Sequence, residues 1–347
     1  MERDFREETM TAPLLRQAPM RRVAVFRALQ LGDMLCAVPA LRALRTALPD
    51  AHITLVGLPW AAQFAGRFAA YVDAFHAFPG HEKFPEQSPD AAALPPFYRA
   101  MQEADFDLAL QLHGSGEISN GIVRRFGARH AAGYVGAADD YDARCWFPYP
   151  GHGPEPLRLL NLLTLLGAPP AGTQLEFPLH AQDWDELRAG GLAASLVPGS
   201  YFCIHPGARF RDKCWPPQRF AAVADSLAQE FGLKTVITGS AQEADLADAV
   251  AAHMRTPALH AAAPLSIGAM AALMSGARLL ICNDTGVSHI AAGLRLKSVV
   301  VFSKADIDRW APLDLTLHRC IADPLAAKGD EVLEQARMLL AEHAPGA

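Results

Sequence analysis

The sequence contains no apolar run near the ~18 residues that a membrane-spanning helix needs. Its greasiest stretch, Leu157–Leu166, is broken at helical spacing by Arg158, Asn161 and Thr164. An export signal, with an apolar centre of about 7–15 residues, is also missing from the start. There Glu2, Asp4, Glu7 and Glu8 mix with Arg3, Arg6 and Arg16, and residues 1–20 read as a flexible tail. Cysteine is sparse: six residues (Cys36, Cys145, Cys203, Cys214, Cys282, Cys320), none in C-x-x-C. That usage fits reduced thiols and a cytoplasmic setting. The thirteen histidines show neither H-x-x-x-H nor a Cys/His spacing, so no structural zinc is expected. There is no P-loop and no G-x-S-x-G. Basic excess is lacking too. Lys plus Arg number 31 against 37 Asp plus Glu, a net charge of −6, which argues against a dedicated nucleic-acid partner.

What is present is a globular composition. Of 347 residues, 51% are hydrophobic and 20% charged, enough to build cores and to exclude global disorder. The length suggests two domains. Short β-branched runs alternate with helical patterns. Strands are expected at Arg22–Phe26, His52–Val56, Asp107–Leu112, Tyr201–His205, Lys234–Thr238, Arg278–Cys282 and Ser298–Phe302. Helices are expected at Met34–Leu48, Glu117–Phe126, Pro217–Phe231, Gln242–Met254, Ile267–Ser275 and Ser288–Leu294. Strand–helix–strand series imply parallel sheets with right-handed crossovers. The pattern weakens between Tyr134 and Pro198, where prolines accumulate, and resumes at Tyr201. The expected domains are therefore 21–180 and 199–328. A last helix near Asp330–His343, within 329–347, can pack on either half, including back on the N-terminal domain.

Three segments carry chemistry. The first follows the opening strand: Gly32-Asp33, then a helix and Pro39. Glycine permits a tight turn, and an aspartate here either caps the helix or serves as a carboxylate at the strand's carboxyl edge. The second is His205-Pro206-Gly207, then Arg209, Arg211 and Lys213, then Trp215-Pro216. Three cations in five residues beyond a strand suit an anionic ligand, or form a solvated loop that Trp215 anchors. The third is Asn283-Asp284-Thr285-Gly286-Val287-Ser288-His289. Free N–H groups at that helix start suit a phosphate. Asp284 would repel one, so it holds the turn or accepts from a hydroxyl. His289 is either a site residue or a satisfied core histidine. A weaker segment, Gly114-Ser115-Gly116-Glu117-Ile118-Ser119, approaches the dinucleotide fingerprint but has Ser119 at its last glycine. The first strand lacks that fingerprint, which disfavours a nicotinamide dehydrogenase. Arg124, Arg125 and Arg129 follow, and with Arg42 and Arg45 they form either an acceptor surface or ordinary helix-face charge.

In this order and spacing, Gly32-Asp33 to Pro39, His205-Pro206-Gly207 with Lys213-Cys214-Trp215-Pro216, and Asp284-Thr285-Gly286-Val287-Ser288-His289 resemble the heptosyltransferases of bacterial lipopolysaccharide synthesis, glycosyltransferase family 9. The resemblance spans about residues 21–315. It implies an α/β GT-B fold: two Rossmann-like domains with parallel sheets facing a central cleft. The N-terminal domain would bind the acceptor and the C-terminal domain the nucleotide sugar. Asp33 would be the catalytic base. Lys213 and Arg209 would bind donor phosphates, and Asp284, Thr285, Gly286 and His289 would form the donor loop. Glu243 would lie near the nucleoside. Arg124, Arg125 and His113 are expected on the acceptor side. The implied reaction is inverting transfer of a heptose from ADP-heptose, without metal or other cofactor. The acceptor would be a lipid-anchored saccharide, reached by peripheral contact at the inner face of the inner membrane. Other readings are a relative using another nucleotide sugar and a non-catalytic sugar-nucleotide-binding protein. The sequence departs from the family pattern at Gln111-Leu112-His113, at Arg209–Asp212 and at Ser303-Lys304-Ala305-Asp306. These departures fall where donor and acceptor would sit.

Overall fold

The run Val23-Ala-Val-Phe26 is apolar at every position because the strand it forms is covered on both faces, and all four residues are fully buried. Such continuous apolar strands belong to parallel sheets flanked by helices. A computed structural model describes residues 12–17, 19–136, 142–261, 265–322 and 329–341. The chain forms two compact units. The first comprises residues 1–29, 39–151 and 156–173, and the second residues 30–38, 152–155 and 174–347.

The first unit opens with α1 (Leu14–Gln17) and β1 (Arg22–Phe26). The chain then lends α2 (Leu31–Cys36) to the second unit before continuing through α3 (Val38–Ala47), β2 (His52–Gly57), α4 (Ala61–Arg67) and β3 (Ala74–Ala77). It proceeds through α5 (Leu94–Glu103), β4 (Leu108–Gln111), α6 (Ser119–Arg124), β5 (His130–Val135), β6 (Trp146–Pro148) and α7 (Glu155–Leu165). All strands pair in parallel in the order β3-β2-β1-β4-β5-β6, with Val23 of β1 opposite Ile53 on one side and Leu108 on the other. An aromatic core of Phe26, Phe78, Phe84, Phe97 and Phe126 packs on one face.

The second unit contains α8 (Ala181–Ala189), β7 (Tyr201–His205), α9 (Pro217–Phe231), β8 (Lys234–Thr238), α10 (Ala244–His253), β9 (Ala258–Ala261) and α11 (Ile267–Ser275). It continues through β10 (Leu280–Asn283), α12 (Gly286–Leu294), β11 (Ser298–Phe302), α13 (Ile307–Trp310), β12 (His318–Ala322) and α14 (Gly329–Ala341). The parallel order is β12-β11-β10-β7-β8-β9, the doubly wound order of the first unit repeated. In such sheets the strand order reverses between the first strand and the fourth, here β7 and β10, and ligands bind beyond their carboxyl ends.

Several sequence expectations are refined. Residues 1–11 and 18 lie outside the described residues, but Leu14 and Leu15 are buried and the Leu15 N–H donates to the Leu166 carbonyl at 3.0 Å, so 12–17 is no loose tail. The single helix expected over Met34–Leu48 is two, broken at Ala37 just before Pro39, because proline suits a first helical turn and disrupts an interior one. Gly32-Asp33 lies in the first turn of α2 rather than in a loop, with Gln30 as the N-cap. Arg42 and Arg45 face their own unit: Arg42 donates to the Ala171 carbonyl, and Arg45 pairs with Asp73. The last helix packs in the core of the second unit, where Val332, Ala336, Leu339 and Leu340 are buried with Phe220 and Leu227. His343 and the rest of 342–347 lie outside the described residues.

Candidate active site

A cavity of about 240 Å³ lies in the second unit, lined by Gln30, Gly32 and Asp33 from α2 and by Asp284, Thr285 and Gly286 after β10. Arg209, Phe210 and Lys213 after β7, with His289, Ala305 and Trp310, complete it. It sits at the reversal point of the sheet, as strand order alone requires.

The loop after β7 is long and irregular, so something must hold it. Asn283, the last residue of β10 and fully buried, bonds both ends. Its Oδ1 accepts from the Trp215 N–H at 2.8 Å, and its Nδ2 donates to the Pro206 carbonyl at 2.7 Å. Trp215 is buried against Phe220, the anchor expected from the sequence. Outer ties come from Arg211 to Asp245 at 2.8 Å, from Lys304 to Asp212, and from the Ser303 hydroxyl to the Lys213 carbonyl at 3.0 Å. These bonds present the Lys213 ammonium to the cavity, 3.8 Å from Asp284 Oδ2.

Helix α12 begins at Gly286 with Thr285 as an extended N-cap whose side chain makes no capping bond. The hydroxyl of Ser288 turns back to the Thr285 carbonyl at 2.7 Å. The Ser288 N–H donates to the same carbonyl at 3.0 Å, which leaves the start of α12 at Gly286, the positive end of its dipole, facing the cavity as a candidate anion seat.

Helix α2 lies tight against α12 through two glycines. A Cβ on Gly32 would come within 2.9 Å of His289 Cδ2 and 3.3 Å of the Gly286 Cα, while one on Gly286 would come within 3.3 Å of the Gly32 nitrogen. His289 is buried, with Nδ1 3.8 Å from Cys36 Sγ. Burial holds its pKa down at about 4, with His318 adding to the effect, so the ring is a neutral spacer between the helices. This close approach brings Asp33 beside the anion seat. Asp284 feels it: burial raises the Asp284 pKa, Lys213 lowers it, and the charge of Asp33 raises it again.

The structure thus gathers Asp33, Arg209, Lys213, Asp284, Thr285, Gly286 and His289 around one cavity. Glu243 does not line it. Its carboxylate accepts from the Ser240 N–H at 2.9 Å and hydroxyl at 2.8 Å, and it fills the space beside Gly207. The candidates of the first unit are engaged elsewhere. His113 stacks between Phe84 (4.4 Å) and Phe26 (5.5 Å), accepts from the Ala28 N–H at 3.2 Å, and is held near pKa 3 by burial and then by Arg27. The guanidinium of Arg124 lies 5.0 Å over Trp146, and that of Arg125 3.6 Å over Tyr98. Sequence reasoning missed Phe210 and Trp310 as lining residues and gave Asn283 no role. A buried amide closing a strand was a readable signal for Asn283. Nothing local marks Trp310. Among the described residues no three His, Cys, Asp or Glu side chains form a metal-binding group, and no helix is long and apolar enough to cross a membrane.

Residues 96–332 match the model of glycosyltransferase family 9 (heptosyltransferase). A lipopolysaccharide heptosyltransferase 3 of Escherichia coli is 31% identical over 156 residues, which make up 44% of this chain and 45% of that protein. The alignment thus spans less than half the length of that relative. Among solved structures, a family 9 glycosyl transferase from Veillonella parvula superposes with a TM-score of 0.78 at 20% identity, over 93% of this chain and 98% of that one. The E. coli ADP-heptose lps heptosyltransferase II gives 0.70 at 19% identity, over 93% and 99%. The likeness establishes the fold class as α/β GT-B, with two Rossmann-like parallel sheets.

Proposed function

The chain belongs to glycosyltransferase family 9, the heptosyltransferase family, and on that basis we propose that it is an inverting glycosyltransferase moving a heptose from ADP-heptose to a saccharide of the lipopolysaccharide core. The observation that carries this reading is the meeting of Asp33, Lys213 and the α12 N-terminus around one cavity. The solved E. coli heptosyltransferase II, named for ADP-heptose, supports the donor.

Inversion is a single displacement at the anomeric carbon. The acceptor hydroxyl attacks, the glycosidic C–O bond breaks, and a nucleoside diphosphate leaves. Charge grows on the leaving phosphate. The Lys213 ammonium and the N-terminus of α12 at Gly286 receive it, and such preset donors lower the barrier without reorganising. On the other side Asp33 takes the hydroxyl proton. A carboxylate is a weak base for an alcohol in the ground state, but the hydroxyl turns acidic as the new bond forms, so a late transfer suits it. Arg209 lies at the cavity's edge as a second cation for the diphosphate. Asp284 receives a donor hydroxyl and tethers Lys213. The acceptor is lipid-anchored, which puts the work at the inner face of the inner membrane by peripheral contact.

A second reading, transfer from another nucleotide sugar, is favoured by Arg209-Phe210 and Ser303–Asp306, the departures from the family pattern that flank the cavity. Turnover of the purified protein with ADP-heptose, and with UDP- and GDP-sugars, on a core-saccharide acceptor tests both. Product from ADP-heptose alone supports the heptosyl reading. Product only from another sugar replaces it, and binding without turnover on any acceptor leaves a sugar-nucleotide-binding protein.

A further inference from the structure

The geometry points to Trp310 as the platform that receives the sugar ring of the donor. The inference rests on the nucleotide-sugar reading of the cavity and deepens it. Trp310 ends α13, a single turn after β11, and lines the same cavity as Asp33 and Lys213. Its ring meets His289 at 72° with centroids 6.5 Å apart. His289 in turn sits against Gly32 and Cys36, next to Asp33 along α2. Trp310 is therefore on the Asp33 side of the cavity. A base that deprotonates the attacking hydroxyl must lie beside the anomeric carbon, so the group next to Trp310 is the sugar and not the nucleobase.

The indole is also held for that task. The Arg309 guanidinium lies over its ring, 4.7 Å from the centroid. That guanidinium bonds a single buried carboxylate oxygen, Glu155 Oε2, through Nε at 3.1 Å and an outer nitrogen at 3.0 Å. Charge-assisted bonds of this kind fix orientation. Glu155 and Arg309 thus act as positioning residues for the ring, which keeps its remaining surface for the cavity. Aromatic faces pack against the C–H-bearing face of a pyranose and leave its hydroxyl edges to polar partners. Such a platform reads the sugar and is indifferent to the diphosphate.

Calorimetric titration of the full chain with ADP and with ADP-heptose tests this. Trp310→Ala is expected to leave ADP affinity within about twofold while weakening ADP-heptose about 3- to 10-fold. Trp310→Phe should restore most of the loss. Glu155→Gln, which leaves the indole in place, should show a smaller loss with the same selectivity, and it carries the test if the alanine variant fails to fold. Equal weakening of ADP and ADP-heptose, or no change in either, overturns the platform. A wild-type protein that binds neither ligand sinks the ADP-heptose reading, and with it the platform for that sugar.

Discussion

Asp33 occupies a position where a capping side chain and a base look alike in sequence. In the structure Gln30 is the N-cap of α2, and Asp33 lines the cavity. Asp33→Asn keeps the shape and removes the proposed proton acceptor. Turnover should fall about 10²–10⁴-fold, with the melting temperature little changed, in a product-release assay run beside thermal melting. Lys213→Ala removes the cation that the proposed mechanism sets against the leaving diphosphate. Calorimetry should show nucleotide binding falling well beyond acceptor binding, and turnover should lose on the order of 3 kcal/mol of barrier lowering. Equal loss for both ligands would speak against the assignment. Asn283→Asp swaps the N–H donors facing Pro206 and Gly207 for a carboxylate oxygen. The loop after β7 should loosen at a cost of about 1–3 kcal/mol, read as a lower denaturation midpoint together with a weaker nucleotide titration.

Helix α2 and helix α12 touch through Gly32 and Gly286, a spacing that no side chain fits without displacing His289 or backbone. Gly32→Ala should therefore push the helices apart, destabilise by about 1–3 kcal/mol and carry Asp33 away from the anion seat, so that activity falls further than stability does. Urea denaturation paired with a turnover assay shows the split. The glycine was visible in the sequence, but its reason was not, because the partner glycine is 254 positions later. Legibility elsewhere follows burial. Inner strands such as β1, β7 and β11 are apolar at nearly every position and were read to their ends. The short strands β3, β9 and β12 are only partly buried and mix histidine or arginine with alanine, so no period betrays them. β6 holds Pro148, a residue that edge strands tolerate and that argues against a strand when met in sequence.

At the scale of the molecule, buried and half-buried histidines set an acid limit. His113 is held near pKa 3, and His289 and His318 near 4, mainly by burial. Their unfolded value is about 6.5, so the unfolded chain takes up protons that the folded one refuses. The stability these neutral rings allow is whole above pH 6.5. It is lost as pH falls from there towards 4, at roughly 1 kcal/mol per histidine per pH unit. Urea midpoints should drop steeply between pH 6.5 and 4.5, and a flat profile would refute the account. That Asp33, Arg209, Lys213 and Asp284–Gly286 would meet at one cavity was legible because they fall in three contiguous stretches after three buried strands, whereas Glu243 lies outside it. Of the residues expected on the acceptor side, Arg124 and Arg125 lie over the Trp146 and Tyr98 rings and His113 stacks on Phe84, contacts that no sequence pattern announces. The sequence had also assigned the stretch holding Asp33 to the first domain, yet residues 30–38 belong to the second unit. Gene dissection must reckon with that loan. A fragment starting at residue 174 would be born without one wall of its own cavity. Supplying the missing stretch as a separate peptide should restore nucleotide capture by complementation, whereas cutting at the proline-rich linker alone should not.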